Sequence, residues 1–234
     1  MAQVNITGAG LFDGRPPHPY TNSDDVNVTA GSTLELLGTI VNTASITLSG
    51  HTHQGVANDA SLLIDGNVYL QGGGTVTLRA GLNPNGDDYR NHNLISGNGA
   101  GAILRNVDNT IVGGGVIGNS VQLVNQANGE IIATQGAAPA SLAIIASKVI
   151  NAGLMEALNG ATLSFNVAPV SNTGLIQALG GSTVDIYLGV IGSGGTIIAS
   201  GNGSRTAMAL SCQMSPRCHR MKWSSWSLRW RPAG

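Results

Sequence analysis

Carboxylates are the first groups in this sequence that could do chemistry, and they gather in two places. One is Asp24-Asp25; the other is the polar run Asn83-Pro84-Asn85-Gly86-Asp87-Asp88-Tyr89-Arg90-Asn91-His92. Carboxylates gathered on one face could hold calcium through oxygen ligands, or work as an acid and base pair across a glycosidic bond. Asn85, Asp87, Asp88, Tyr89, Arg90 and His92 therefore make a candidate recognition loop for calcium or a glycan. The competing reading is a solvated corner loop, where Gly, Asn, Asp and Pro are expected in any case. His51 and His53 flank Thr52, which puts both rings on one face of a strand. With no third ligand assignable, they read as exposed loop residues rather than a metal pair. Gly72 to Gly74 and Gly113 to Gly115 are not phosphate loops, because no Gly-Lys-Ser/Thr follows them. Nor do they carry the Asp of a calcium-binding nonapeptide. Cys212, Cys218 and His219 fall short of the four paired ligands of a structural zinc site. No Ser, His and Asp arrangement stands out from chance. The expectation is a chain with no catalytic residue, no metal and no cofactor.

The elements that must position these groups follow from a repeat. Gly, a small residue, Thr, Leu or Val, any residue, then a large apolar one occurs from Gly31 to Leu36, Gly73 to Leu78, Gly160 to Phe165 and Gly181 to Ile186. The glycines are 42, 87 and 21 residues apart, which reads as two, four and one turns of 21, with three residues extra. A second motif places apolar or small residues two and four positions after Gly or Ala: Ala44-Ile46-Leu48, Gly129-Ile131-Ala133, Gly153-Met155-Ala157, Gly174-Ile176-Ala178 and Gly195-Ile197-Ala199. A period near 21 built from short alternating strands is the arithmetic of a β-solenoid. The expected fold is all-β, a right-handed parallel β-helix of nine or ten coils, with about 21 residues per coil. Leu163, Phe165, Val184 and Ile186 would point inward while Ser164 and Asp185 point out. Asn151 and Asn172 fall one period apart, where side-chain amides can stack into a ladder. An antiparallel sandwich uses the same residue types, but gives no reason for the same residue in the same slot every 21 positions.

Composition supports this and divides the chain. Of 234 residues 34 are Gly and only 10% are charged, against roughly 25% in typical domains, which excludes charged disorder and helical bundles. The first 204 residues hold five basic and all 12 acidic residues, a net of −7; the last 30 hold six basic and no acidic residues, a net of +6. A body at −7 repels phosphates, so nucleic acid is not an expected partner. The division expected is a lead-in over 1–25, a solenoid over 26–204 and a basic, Trp-rich tail over 205–234 outside the fold. After Gly203-Ser204 the motif breaks off into Arg205-Thr206-Ala207-Met208, as a shifted reading frame would produce. The rival reading sets Trp223, Trp226 and Trp230 with Lys222, Arg229 and Arg231 against an anionic membrane surface.

The strings NAGLMEALNGATLSF, SNTGLIQALGGSTVDI, NVDNTIVGGGVIGN and LLIDGNVYLQGGGTVTL resemble the repetitive stretches of bacterial surface proteins of the filamentous-haemagglutinin and autotransporter-passenger kind. The resemblance spans about 26–204. It implies a secreted or surface-bound β-helix acting in adhesion or aggregation, with host or bacterial surface glycans or proteins as partners. The opening MAQVNITGAG has neither the basic nor the apolar region of a secretion signal, and no window is apolar enough for a transmembrane helix. The chain thus reads as an interior piece of a larger passenger or a gene remnant, non-catalytic in function. The alternative is a carbohydrate-active or glycan-binding β-helix. Gly86-Asp87-Asp88 is similar to an acidic element of polygalacturonase-type enzymes, but the companion Asn-Thr-Asp, Gly-His-Gly and Arg-Ile-Lys elements are missing.

Overall fold

A computed structural model of the chain describes residues 3–53, 56–80, 92–134, 141–192, 194–208 and 228–231. Among them the fold is a parallel β-solenoid. One late coil shows its construction: Leu175–Leu179, Thr183–Ile186 and Val190–Ile191 form three successive faces, and Thr196–Ser200 then returns to stack in parallel on Leu175–Leu179. The strands of the first face make a 10-stranded sheet. Those of the second and third faces make one 15-stranded sheet, because Thr33–Asn42 and Ala60–Gln71 run around the bend between those faces without a break. The pairing slips register between Leu37 and Thr39, where the strand turns.

The alternation expected from sequence is what the chain does. Leu163, Phe165, Val184 and Ile186 are buried, while Ser164 and Asp185 are only half-buried on the outer side. Each second-motif segment lies on the first face, with Ile46 and Leu48, Ile131 and Ala133, Met155 and Ala157, and Ile176 and Ala178 all buried, and in the last segment Ile197 buried and Ala199 half-buried. Stacked coil on coil, these residues join one apolar core from Phe12 to Ile197. Each large aliphatic chain so buried contributes roughly 1.5–3 kcal/mol. The narrow core leaves aromatics little room; Phe12 of the first coil stacks on Tyr20, ring centroids 4.2 Å apart.

Two sequence expectations shift. The first coil is already formed by Gln3–Ile6, Ala9–Gly14 and Tyr20–Asn22, each paired in parallel with the second coil, so residues 3–25 are solenoid rather than lead-in. At the other end Arg205–Met208 pairs with Thr183–Ile186, and Leu228–Arg231 adds a strand to the first face. Eight complete coils, two faces of a ninth and one strand of a tenth stack to about 43 Å at roughly 4.8 Å per coil. Residues 209–227 and 232–234, which carry both Cys, Trp223 and Trp226, lie outside the described residues.

The period is also less uniform than the glycine spacings imply. On the second face Thr33 stands beside Ser61, Ser61 beside Leu94, Leu94 beside Val116 and Val116 beside Ala143, advances of 28, 33, 22 and 27 residues. Only from Ala143 to Ser164 to Asp185 does the advance settle at 21. The Gly73 motif sits on the first face, whereas those at Gly31, Gly160 and Gly181 open second-face strands, so its apparent multiple of 21 is a coincidence.

The bend from the third face into the next coil is the most regular feature. Asn22 donates to Asn42 (2.8 Å), Asn42 to Asn109 (2.9 Å), Asn106 to Asn125 (3.0 Å), Asn125 to Asn151 (2.9 Å) and Asn151 to Asn172 (2.8 Å), Nδ2 to Oδ1 throughout. Gly72 follows the third strand of its coil where the ladder would want an amide. Asn109 fills the gap, its own N–H bonded to Asn106 Oδ1 at 3.2 Å. The motif glycines are required here: a Cβ on Gly129 would lie 2.5 Å from Asn125 Oδ1 and 2.7 Å from the Asn106 carbonyl. Among the described residues every buried side-chain nitrogen and oxygen has a partner, as a low-dielectric interior demands.

Candidate functional site

The bend from the first face to the second behaves differently. In the later coils it is short, with Asn159–Ala161 or Gly180–Ser182 spanning the gap. Three other coils insert chain there. Between Ser49 and Ala60 runs a hairpin, His51–His53 antiparallel to Val56–Asn58; Leu78 and Asn93 bracket the 79–92 segment, and Thr134 and Ser141 bracket 135–140. At the third-to-first bend of the eight complete coils no more than four residues separate the strands. In these coils the three longest segments between strands therefore line up along one edge of the rod.

At the root of the first two insertions, three side chains from separate segments meet. Thr52 Oγ1 lies 2.6 Å from His92 Nε2, and His92 Nδ1 lies 2.8 Å from Asp59 Oδ1. The His92 side chain is 19% exposed and Asp59 45%, so the array is open to small solutes. The neighbouring backbone holds it in place. Gly50 N–H donates to Asn93 Oδ1 (2.8 Å), Asn93 Nδ2 donates to the Arg79 carbonyl (2.7 Å), and Ala60 N–H donates to the His92 carbonyl (2.9 Å). Gly50 admits no side chain, since a Cβ would run into the His92 carbonyl and the Ala60 amide.

Beside this root, a groove of about 530 Å³ crosses the outer side of the first face near its N-terminal end, lined by Gln3, Asp25, Val26, Asn27, Ser45, Thr47, Ser49 and Arg79. Its floor is a set of stacked polar pairs. Ser45 Oγ donates to Asp25 (2.6 Å), Ser49 Oγ to Asn27 Oδ1 (2.6 Å), and Asn27 Nδ2 to Asn5 (3.1 Å). Of the pair singled out in the sequence, Asp25 faces this groove; Asp24 does not line it.

The candidate recognition loop is only partly in view. Asn85, Asp87, Asp88, Tyr89 and Arg90 lie outside the described residues, while His92 is placed and engaged as above. His51 Nδ1 is 3.1 Å from the Ser49 carbonyl. Among the described residues no three His, Cys, Asp or Glu side chains converge as metal ligands. The glycine cluster at Gly72 and Gly73 has a structural use, because both amides donate to Asp108 Oδ1 (2.8 and 3.1 Å). Thr52 and Asp59 escaped the sequence reading, being 40 and 33 residues from His92 with no motif to join them.

The two carboxyl groups that are clearly perturbed, Asp13 and Glu156, both lie away from this edge. A hydrogen bond from the Arg15 guanidinium pulls the exposed Asp13 carboxyl down to about 2. Burial pushes the Glu156 carboxyl up, against the opposing hydrogen bond from Gln177 at 2.6 Å. Among the described residues no helix is long and apolar enough to cross a membrane. Comparison with models of protein families, with curated proteins and with solved structures finds no match to this chain.

Proposed function

We propose that this chain is a structural and adhesive segment of a bacterial surface or secreted exoprotein, a stiff rod that presents recognition elements along one edge. The observation that carries this reading is the segregation of the two bends. In the eight complete coils one is locked by buried asparagines, and the other bears the three longest segments between strands. Loops on a rigid scaffold are where recognition usually resides. The repeat strings similar to filamentous-haemagglutinin and autotransporter passengers point to the same role, with surface glycans or proteins as partners. A second reading, a glycan-binding or carbohydrate-active β-helix, is favoured by the polar groove around Asp25.

The test is a bead-adhesion assay with the full chain on host cells and glycan arrays. Its comparison variant replaces 51–58 and 80–91 by short bends of the Asn159-Gly160-Ala161 type. Adhesion lost with the far-UV spectrum and melting point kept supports the proposal. Wild-type beads that stick to neither surface, or a trimmed variant that sticks equally well, would sink it.

A further inference from the structure

We propose that Thr52, His92 and Asp59 form an acyl-transfer site, with Thr52 as nucleophile toward a carboxylic ester carried on a saccharide-type alcohol lying in the adjoining groove. The inference goes beyond the scaffold reading and does not rest on it. Its first support is the order of the contacts. A carboxylate can only accept, so His92 Nδ1 carries the hydrogen and donates to Asp59 Oδ1. In the neutral ring Nε2 is then bare and accepts the Thr52 hydroxyl at 2.6 Å. Hydroxyl, imidazole and carboxylate in that sequence make an activated nucleophile, its base and the group that orients the base. Asp59 is a positioning residue here; Thr52 and His92 are the catalytic pair.

The second support is what lies next to it. Ser49 and Arg79 line the groove; Ser49 stands three residues before Thr52 in the chain, and the Arg79 carbonyl accepts from Asn93, the residue after His92. Hydroxyls at Ser45, Thr47 and Ser49, amides at Gln3 and Asn27 and the Asp25 carboxylate suit a ligand made of hydroxyl groups. Its volume of about 530 Å³ lies within the usual span of ligand sites, roughly 300–1,000 Å³.

In the reaction, Thr52 Oγ1 bonds to the ester carbonyl carbon as its proton passes to His92 Nε2. The carbon–oxygen bond to the sugar then breaks, and Nε2 returns the proton to the departing oxygen. Water attacks the acyl-Thr52 carbonyl, giving a proton to Nε2. The carboxylic acid leaves as Thr52 takes that proton back. Ester and water become acid and alcohol, with no oxidant or reductant.

The experiment follows acetate release by the full chain from p-nitrophenyl acetate and from acetylated xylan. General-base assistance is worth about 10²–10⁴-fold, so wild type should exceed Thr52→Ala and His92→Ala by roughly that factor, with Thr52→Ser retaining activity. Asp59→Asn should lower kcat and leave KM unchanged, which a loosened hairpin would not do. Acetyl-Thr52 should be found by mass spectrometry after acid quenching of the wild type. A wild-type rate no higher than Thr52→Ala, or no acetyl group on Thr52, overturns the site. Adhesion by Asp59→Asn, a residue outside the recognition loop and the trimmed segments, is measured in parallel; it should be normal, so failure of the esterase and failure of the scaffold reading are told apart.

Discussion

The two bends that bound the first face are made from similar residues and have opposite rules. At the third-to-first bend Asn125 is fully buried, and its Nδ2 donates to Asn151 Oδ1 and to the Gly129 and Leu154 carbonyls. At the first-to-second bend a hairpin separates the strands in one coil, and 14 and six residues separate them in two others. A bend whose backbone groups are bonded to buried amides cannot lengthen without orphaning them. A bend satisfied by water can. The fold thus separates stability from variability, and His92, Thr52 and Asp59 stand on the variable side.

Breaking the locked bend should have the largest effect. Asn125→Ala removes the acceptor of Asn106 Nδ2 and the donors to Asn151 Oδ1 and the Leu154 carbonyl in a dry interior, while the Gly129 carbonyl keeps the Leu154 N–H. At about 1–3 kcal/mol per orphaned buried group, urea unfolding should show a loss of roughly 3 kcal/mol or more. An unchanged midpoint would mean the ladder is ornamental. Gly129→Ala attacks the same bend from the other side, because the new methyl meets Asn125 and Asn106 at 2.5–2.8 Å. Overpacking of this kind costs about 1–3 kcal/mol, and the same assay should rank it below Asn125→Ala.

The opposite bend should forgive far more. Doubling the length of a connection adds about 0.6 kcal/mol of closure entropy, so six Gly and Ser residues inserted between Ala137 and Ala138 should barely move the melting point. The same insertion between Ala152 and Gly153, where Ala152 N–H donates to the Asn125 carbonyl and Asn151 Nδ2 to the Gly153 carbonyl, should abolish cooperative unfolding. Equal responses at the two bends would end the distinction between them.

How much of this the sequence discloses follows from the same contrast. Asn151 and Asn172 betray the ladder because the late coils repeat every 21 residues without interruption. Asn22, Asn42 and Asn109 do not, since insertions and the Gly72 gap throw them out of phase. Inward pairs such as Val184 and Ile186 are legible because strand alternation is local. The first coil is missed because Gln3–Ile6 and Ala9–Gly14 show the motif in neither form, and only parallel pairing identifies them. The Thr52, His92 and Asp59 array is beyond sequence reasoning, because two insertions of unrelated length must be stacked before the three meet.

The smallest predicted change has the opposite sign and lies on the outer side of the first face. Glu156 is 7% exposed, flanked by Ile132 and Gln177 in the neighbouring coils, with the Glu130 charge nearby adding to the effect of burial. Its folded-state carboxyl holds its proton to higher pH than the unfolded one, so the native state binds more protons in that window. Stability must then fall as pH rises from the ordinary carboxylate range through the raised folded value, and the cost persists at neutral pH. Asp13 works the other way: its stabilisation is present above the ordinary carboxylate range and is lost as pH falls toward about 2. Because that pair is exposed it contributes little. Glu156→Gln keeps an amide partner for Gln177 and removes the buried charge, so its melting point at pH 7 should rise slightly above wild type. The gain should vanish below pH 4, where Glu156 is protonated in both states. A variant less stable at pH 7 would show that the bond from Gln177 outweighs the burial of the charge.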